Sequence, residues 1–142
     1  MKKDINLERF VNAQKQDFQI ALSEIKNGRK RSHWMWYIFP QIQGLGFSDT
    51  SKFYAIKNLD EADEFLRHPV LGTRLIVICN ELLVLPGNNA TAIFGSPDDL
   101  KLKSSMTLFS SLDDTNPVFQ KVLNKFFNGT KDYQTLRIIA PK

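Results

Sequence analysis

The side chains best suited to binding and catalysis are concentrated between residues 26 and 41. Four cations precede both tryptophans of the chain in this order: Lys26, Arg29, Lys30, Arg31, Trp34 and Trp36. Arginine and lysine neutralise phosphate and aromatic rings stack on bases, so the combination could hold a nucleotide or a single-stranded nucleic acid. Two structural alternatives stay open: an aromatic stripe at helical spacing that faces the core, and a solvated basic turn after a helix. We therefore take Arg29, Lys30, Trp34 and Trp36 as candidate ligand-binding residues.

His33 is the candidate proton acceptor of this stretch. The neighbouring cations are expected to lower the pKa of its imidazole and to keep it neutral near neutral pH, although a capping or supporting role is equally open. His68, the other histidine, precedes Pro69 where a helix cap belongs. His33 has no acidic residue at helical ligand spacing, and the pair His68–Glu64 is too small to hold a metal. We expect no metal site and no cofactor.

A loop with two glycines follows the aromatic stretch, from Gln41 to Ser48. Gly44 and Gly46 would let the backbone come close to a ligand, and the amide groups of the loop could contact phosphate. The loop completes neither a P-loop nor a dinucleotide-binding fingerprint. Gln41, Gly44 and Gly46 are candidate ligand-binding residues on this basis.

A second polar segment, residues 101–107, lies inside a predicted helix. It contains two lysines and three hydroxyl side chains, and serine and threonine are poor helix formers in such a position. Either the hydroxyls bond back to their own helix or they line a polar pocket. If the second alternative is correct, Lys101, Ser104 and Ser105 contact the ligand.

The periodicity of apolar residues predicts an all-α protein, one compact domain of seven or eight helices over residues 1–142. Apolar steps of three and four residues predict a first helix over residues 6–27, which Gly28 would end in a left-handed conformation. Caps and prolines predict the later helix starts at Ser32, Asp60, His68, Asn89, Ser96, Asn116 and Asp132. No two-residue alternation bounded by hairpin turns occurs.

Composition excludes several classes of protein. The chain has 142 residues, 42% of them hydrophobic and 24% charged, which disfavours disorder and membrane spanning. Its one cysteine, Cys79, excludes an internal disulfide and a multi-cysteine zinc site. Polar residues follow the basic start of the chain where a signal peptide would be apolar, so we expect a cytoplasmic protein. The net charge of +4 is small for a dedicated nucleic-acid-binding protein.

Several motifs resemble a known family. They include Gly28-Arg29-Lys30, His33-Trp34-Met35-Trp36, Phe39-Pro40-Gln41, Gly44-Leu45-Gly46 and the segment from Lys101 to Phe109. The sequence resembles the uncharacterised bacterial family catalogued as domain of unknown function 1810, some members of which carry the label calpastatin. This resemblance implies a compact, mostly helical fold and brings no established activity. The label does not fit, because such calpain inhibitors are disordered and poor in aromatic residues.

A more distant similarity is to helical enzymes that process ADP-ribose conjugates and related N-glycosides. The shared features are a long first helix, an aromatic stretch after it, and a later helix preceded by a pair like His68-Pro69. No catalytic residue carries over from those enzymes to a position in this chain.

We therefore expect a domain that binds an anionic, nucleotide-like small molecule of the ADP-ribose or N-glycoside type. If the ligand is hydrolysed, His33 or an acid among Asp49, Asp98 and Asp99 would handle the proton of water, and Asp98 is the acid we select. Two alternatives remain open: a single-stranded nucleic-acid-binding module, and a protein-interaction module that uses the aromatic helix as its anchor.

Overall fold

Helices and connecting loops make up residues 6–140, the part of the protein that the computed structural model describes. Within that range the helices are α1 (Glu8–Lys26), α2 (Met35–Ile38), α3 (Asp49–Tyr54), α4 (Leu59–Arg67), α5 (Leu71–Val84), α6 (Ala90–Phe94), α7 (Asp98–Ser110), α8 (Val118–Phe127) and α9 (Tyr133–Ile139). There is no strand in this range, only one isolated parallel bridge between Ile42 and Ile56. The all-α prediction is confirmed.

The core is organised around α5 and α7. Helix α5 packs against α1, α4 and α8, and α7 packs against α4, α6, α8 and α9. A row of buried rings joins four of these helices: Phe10 contacts Phe65 edge-on with centroids 5.0 Å apart, Phe65 lies 5.5 Å from Phe109, and Phe109 lies 5.7 Å from Phe119. Such aromatic contacts add to the stabilisation that comes from burial alone.

Several helix boundaries follow from local signals, as predicted. Gly28 has a φ of +78° directly after the C-cap of α1, and the side chain of Asn89 accepts a hydrogen bond from the Ala92 amide to cap α6. The His68 ring caps the start of α5, since its Nδ1 accepts from the amides of Val70 (3.1 Å) and Leu71 (3.2 Å). His68 is therefore a structural residue.

Three predicted caps are wrong. Ser32 does not cap α2, because its hydroxyl donates to the Glu24 carboxylate. Helix α4 begins one residue before Asp60, capped by the Asn58 side chain, which accepts from the Glu61 amide at 2.9 Å. Helix α7 starts at Asp98 without a side-chain cap, so Ser96 has no such role. In the first case a partner distant in sequence takes the hydroxyl that the local pattern assigns to the helix.

A buried ion pair fixes the chain segment between α3 and α4. Arg9 of α1 contacts Glu61 of α4 with atoms 3.1 Å apart, and both side chains are almost fully buried. The Arg9 guanidinium also donates to the backbone carbonyls of Phe53 and Ala55, both at 2.8 Å. Glu61 accepts from the Lys57 amide at 2.8 Å. These bonds anchor the backbone that follows α3.

Neither a membrane span nor a metal site is found among residues 6–140. None of the helices there has the length and apolar character that crossing a bilayer requires. The same part of the chain contains no group of three or more histidine, cysteine or acidic residues arranged to hold a metal ion. Burial raises the pKa of the Cys79 thiol, which fits the inert buried cysteine that the sequence indicates.

Candidate functional site

A cleft of about 400 Å³ opens between α2, the loop after it and α3. This volume lies within the range of small-molecule sites. Its lining residues come from these three segments: Trp36, Gln41, Ile42, Gln43, Gly44, Gly46, Phe47, Ser51, Lys52, Tyr54 and Ala55. The predicted residues Trp36, Gln41, Gly44 and Gly46 therefore lie together in one concave site.

Three aromatic side chains line the cleft, and they differ in exposure. Tyr54 is packed from behind, with ring centroids 5.0 Å from Tyr37 and 4.8 Å from Phe53. Trp36 is half-buried. Phe47 is 85% exposed, although it belongs to a loop that packs closely on α3. The cleft thus combines two supported rings with one ring that meets solvent.

The structure requires glycine at positions 44 and 46 for two different reasons. Gly44 has a φ of +107°, a conformation that side chains with a Cβ rarely adopt, and an added Cβ would lie 3.3 Å from the Ile138 side chain. A Cβ on Gly46 would lie 2.5 Å from the Cβ of Ser51, which is too close for two carbon atoms. Gly46 therefore allows the loop to contact the first turn of α3, and both contacting residues line the cleft.

The charge and polarity of the lining are simple. Lys52 is the one charged side chain among the lining residues, and no aspartate, glutamate, histidine or cysteine is among them. Gln41 and Gln43 add two amide groups, and neither side chain has a hydrogen-bond partner within residues 6–140. The described part of the lining therefore combines aromatic rings, two amides and one cation, and it contains no carboxylate or imidazole.

The remaining cations and the predicted acid form a separate cluster beside the cleft. The Asp98 carboxylate lies 2.9 Å from the Lys30 ammonium and 3.4 Å from that of Lys101. The Lys30 ammonium lies 5.1 Å from the ring centroid of Trp34, and the Lys101 ammonium lies 5.5 Å from that of Trp36. We call Lys30, Asp98 and Lys101 the lysine–aspartate cluster; Trp36 contacts it and also lines the cleft.

Membership in this cluster changes the interpretation of two predicted residues. The Lys30 side chain is only 8% exposed and its charge is balanced by Asp98, so it is not a free phosphate-binding group. Asp98 forms ion pairs with two ammonium groups and is not among the described residues that line the cleft. The cluster contains two cations and one anion, so its positive charge is only partly balanced.

Trp34 is a core residue and not a stacking platform. It is 1% exposed, and its Nε1 donates to the Glu24 carboxylate at 2.8 Å. Glu24 also accepts from the amides of Arg31 and Ser32, and from the Ser32 hydroxyl. Partial burial raises the pKa of Glu24, but these hydrogen bonds outweigh it and lower the pKa to about 2. Of the two interpretations of the aromatic stripe, the core-facing one therefore applies to Trp34.

The other predicted residues lie outside the cleft. Arg29 and His33 are exposed and are not among the lining residues of the cleft. The Ser104 hydroxyl donates to the Leu100 carbonyl at 3.2 Å, which is the back-bonding alternative. Ser105 is fully buried, and its hydroxyl has no hydrogen-bond partner within the described residues. Neither serine lines the cleft.

The comparisons with known proteins agree with this architecture. Residues 4–139 match the family model described as "Protein of unknown function (DUF1810)". The chain belongs to the DUF1810 family. It is similar to the conserved hypothetical protein Rv1873 from Mycobacterium tuberculosis, which is known from a crystal structure. The two sequences are 41% identical, and the match covers 99% of this chain and 100% of that chain with a TM-score of 0.95. No curated protein matches the chain. Neither match supports the calpastatin label or the distant similarity to ADP-ribose-processing enzymes.

The sequence prediction missed several lining residues of this DUF1810 protein. They are Ile42, Gln43, Phe47, Ser51, Lys52, Tyr54 and Ala55. One signal could have indicated Phe47, since a phenylalanine between a glycine and a helix cap has no helical face to join. Lys52 and Tyr54 lie on a six-residue helix, and their common direction depends on how that helix packs on α2.

Proposed function

We propose that the cleft of this DUF1810 protein binds a nucleotide-like, anionic small molecule. The observation that carries the proposal is the combination of Trp36, Phe47 and Tyr54 with a single ammonium, that of Lys52, in one cleft of about 400 Å³. Aromatic rings stack on the faces of bases and contribute about 1–3 kcal/mol per base. The lysine supplies a point charge for phosphate.

The proposal is binding and does not extend to hydrolysis of an N-glycosidic bond. Such a reaction needs a group that takes a proton from water within hydrogen-bond reach of the bond that breaks. Among residues 6–140, no carboxylate or imidazole side chain lines the cleft. Asp98 is engaged by two lysines, and His33 is on the exposed surface outside the cleft.

Titration calorimetry at low salt tests the proposal. The panel contains adenosine monophosphate, ADP-ribose, NAD, ribose 5-phosphate and a short single-stranded DNA. We expect nucleotides to bind. Lys52→Ala should weaken binding roughly tenfold, because it removes the phosphate partner, which corresponds to about 1.4 kcal/mol. Trp36→Leu should weaken binding by a similar factor through the loss of stacking.

Lys121→Ala is the matched control, because Lys121 is an exposed lysine of α8 that does not line the cleft. The Lys121→Ala variant should bind nucleotides with the affinity of the unaltered protein. Absence of binding by every nucleotide would contradict the proposal, as would equal weakening by Lys52→Ala and Lys121→Ala. Binding of the DNA strand alone, lost in high salt, would instead indicate the nucleic-acid-binding alternative.

A further inference from the structure

Two glutamines of the cleft, half-buried Gln41 and exposed Gln43, have side-chain amides that bond to no other described residue, and their backbone is fixed. The Gln41 carbonyl accepts from the Ile56 amide at 2.8 Å, and the Gln43 amide donates to the Ile56 carbonyl at 2.7 Å. The segment between them is anchored by Ile42, which is buried. Gln41 itself is half-buried, and neither side-chain amide has a partner within residues 6–140. The backbone is therefore held in place while both amide groups remain available to a ligand.

An amide side chain carries a donor and an acceptor next to each other. The edge of a nucleobase has the same arrangement, so glutamine can bond to it through both atoms at once. A partly buried polar group generally finds a hydrogen-bond partner, from the protein, from water or from a ligand. A cleft lined by aromatic rings and two open amides is thus suited to a ring that has both a face for stacking and a polar edge.

The charge of the lining sets a second condition on the ligand. Among the lining residues that the structure describes, Lys52 is the one cation, and none of them carries a carboxylate to receive a positive group. One ammonium group can pair with one phosphate group of a ligand. A sugar phosphate satisfies this condition but has no planar edge, and a dinucleotide carries a second phosphate for which the lining has no partner.

We infer that the ligand is a nucleoside 5′-monophosphate whose base edge is recognised by Gln41 and Gln43. This inference rests on the proposed function. Stacking and the lysine provide affinity for any such nucleotide, whereas the two amides distinguish one base from another. Gln41 and Gln43 are therefore specificity-determining residues of the cleft.

The test is a comparison of bases. Calorimetry is run with the monophosphates of adenosine, guanosine, cytidine and uridine, with purine riboside 5′-monophosphate, which lacks the exocyclic amino group of adenosine, and with ribose 5-phosphate. We expect the unaltered protein to prefer one base roughly tenfold over the others and over ribose 5-phosphate, the factor that one additional hydrogen bond supplies. Gln41→Ala and Gln43→Ala should each reduce that preference to within about threefold, because each removes one reader of the base edge.

Gln19→Ala is the control, since Gln19 is an exposed glutamine of α1 outside the cleft, and it should keep the full preference. Far-ultraviolet circular dichroism verifies that each variant is folded. Equal affinity of the unaltered protein for all four bases would overturn the inference and leave the proposed function standing, as would a full preference in both Gln41→Ala and Gln43→Ala. Absence of binding by all nucleotides would remove the proposed function itself.

Discussion

The ammonium of Lys30 lies 2.9 Å from the carboxylate of Asp98, and these two residues connect the loop after α1 to the first turn of α7. Two residues that the sequence identifies as a phosphate ligand and a proton acceptor are thus partners of each other. Lys101 approaches the same carboxylate from within α7. The lysine–aspartate cluster therefore joins two segments of the fold, and none of its three residues is among the described lining residues of the cleft.

The first prediction concerns the stability that this cluster provides. Asp98→Asn removes the charge that balances the Lys30 ammonium, whose side chain is 8% exposed. Leaving such a charged group without its partner should lower the free energy of unfolding by about 2 kcal/mol. Urea denaturation measures this loss. Nucleotide affinity should change less than about threefold, because Asp98 does not line the cleft.

Asp63→Asn is the matched control for this variant. Asp63 forms an ion pair with Arg67 on the surface of α4, at 2.8 Å, with both side chains exposed. Its removal should change stability by less than about 0.5 kcal/mol. Equal losses in the two variants, or a large loss of nucleotide affinity in Asp98→Asn alone, would contradict the structural role.

The second prediction is a pH dependence that originates at Glu24. The pKa of this carboxyl is about 2 in the folded protein, against an ordinary value of 4.5. A lowered pKa in the folded state means that the unfolded chain binds the proton first as acid is added. The stabilisation from Glu24 is therefore complete above pH 4.5 and is lost as the pH falls from 4.5 towards 2.

Glu24→Gln tests this dependence, because the amide retains one acceptor but loses the charge. At neutral pH the variant should be less stable by about 2 kcal/mol, since Trp34 and the backbone after α1 lose a charged acceptor. The difference between the two proteins should shrink as the pH falls below 4.5. A difference that stays constant between neutral pH and pH 3 would show that the charge of Glu24 is not the cause.

The fold class and several helix ends were predictable because their signals in the sequence are local. Gly28, His68 and Asn89 end or begin helices through groups within three residues of themselves, and their patterns in the sequence predict this correctly. Ser32 was predicted wrongly because its partner, Glu24, lies eight residues earlier and is brought close only by the turn between α1 and α2. A serine before a short helix looks the same in the sequence whether its hydroxyl caps that helix or bonds to another residue.

The site was predictable only in part, because burial and ion pairing depend on tertiary packing. Trp34 and Trp36 are two residues apart and look equivalent in the sequence, yet one is buried against Glu24 and the other faces the cleft. Trp34 precedes the four-residue helix α2 and Trp36 lies within it, and only the packing of that helix decides which ring is buried. Lys52 carried no signal, because an isolated lysine on a short helix is typical of a solvent-exposed face.

The third prediction concerns Gly46 and the close contact between its loop and α3. Gly46→Ala places a Cβ 2.5 Å from the Cβ of Ser51, so the loop must move away from α3. We expect roughly tenfold weaker nucleotide binding. The reason is that the Phe47 ring on the loop and the Tyr54 ring on α3 would no longer be placed to contact the same ligand. Stability should fall by about 1–3 kcal/mol, the cost of inserting a carbon into a packed contact.

A second substitution provides the control for this prediction. Ser51→Gly in the Gly46→Ala background removes the atoms that collide and leaves only the Ser51 Cα at 3.9 Å, an ordinary contact distance. The double variant should recover most of the affinity that Gly46→Ala loses. Failure of this rescue in a folded double variant would mean that Gly46 acts in some way other than by allowing this close approach.

The last prediction concerns the buried pair that anchors the segment after α3. Arg9 donates to the carbonyls of Phe53 and Ala55, on either side of the lining residue Tyr54, and Glu61 is 1% exposed and balances its charge. Glu61→Gln leaves a buried guanidinium uncompensated, which should lower stability by about 3–5 kcal/mol. Glu64→Gln on the exposed side of the same helix should change stability by less than about 0.5 kcal/mol.

Nucleotide affinity, measured at a temperature where each variant is folded, should fall for Glu61→Gln alone, because Tyr54 loses its fixed backbone. Unchanged affinity in folded Glu61→Gln would show that the ion pair stabilises the fold without positioning the cleft.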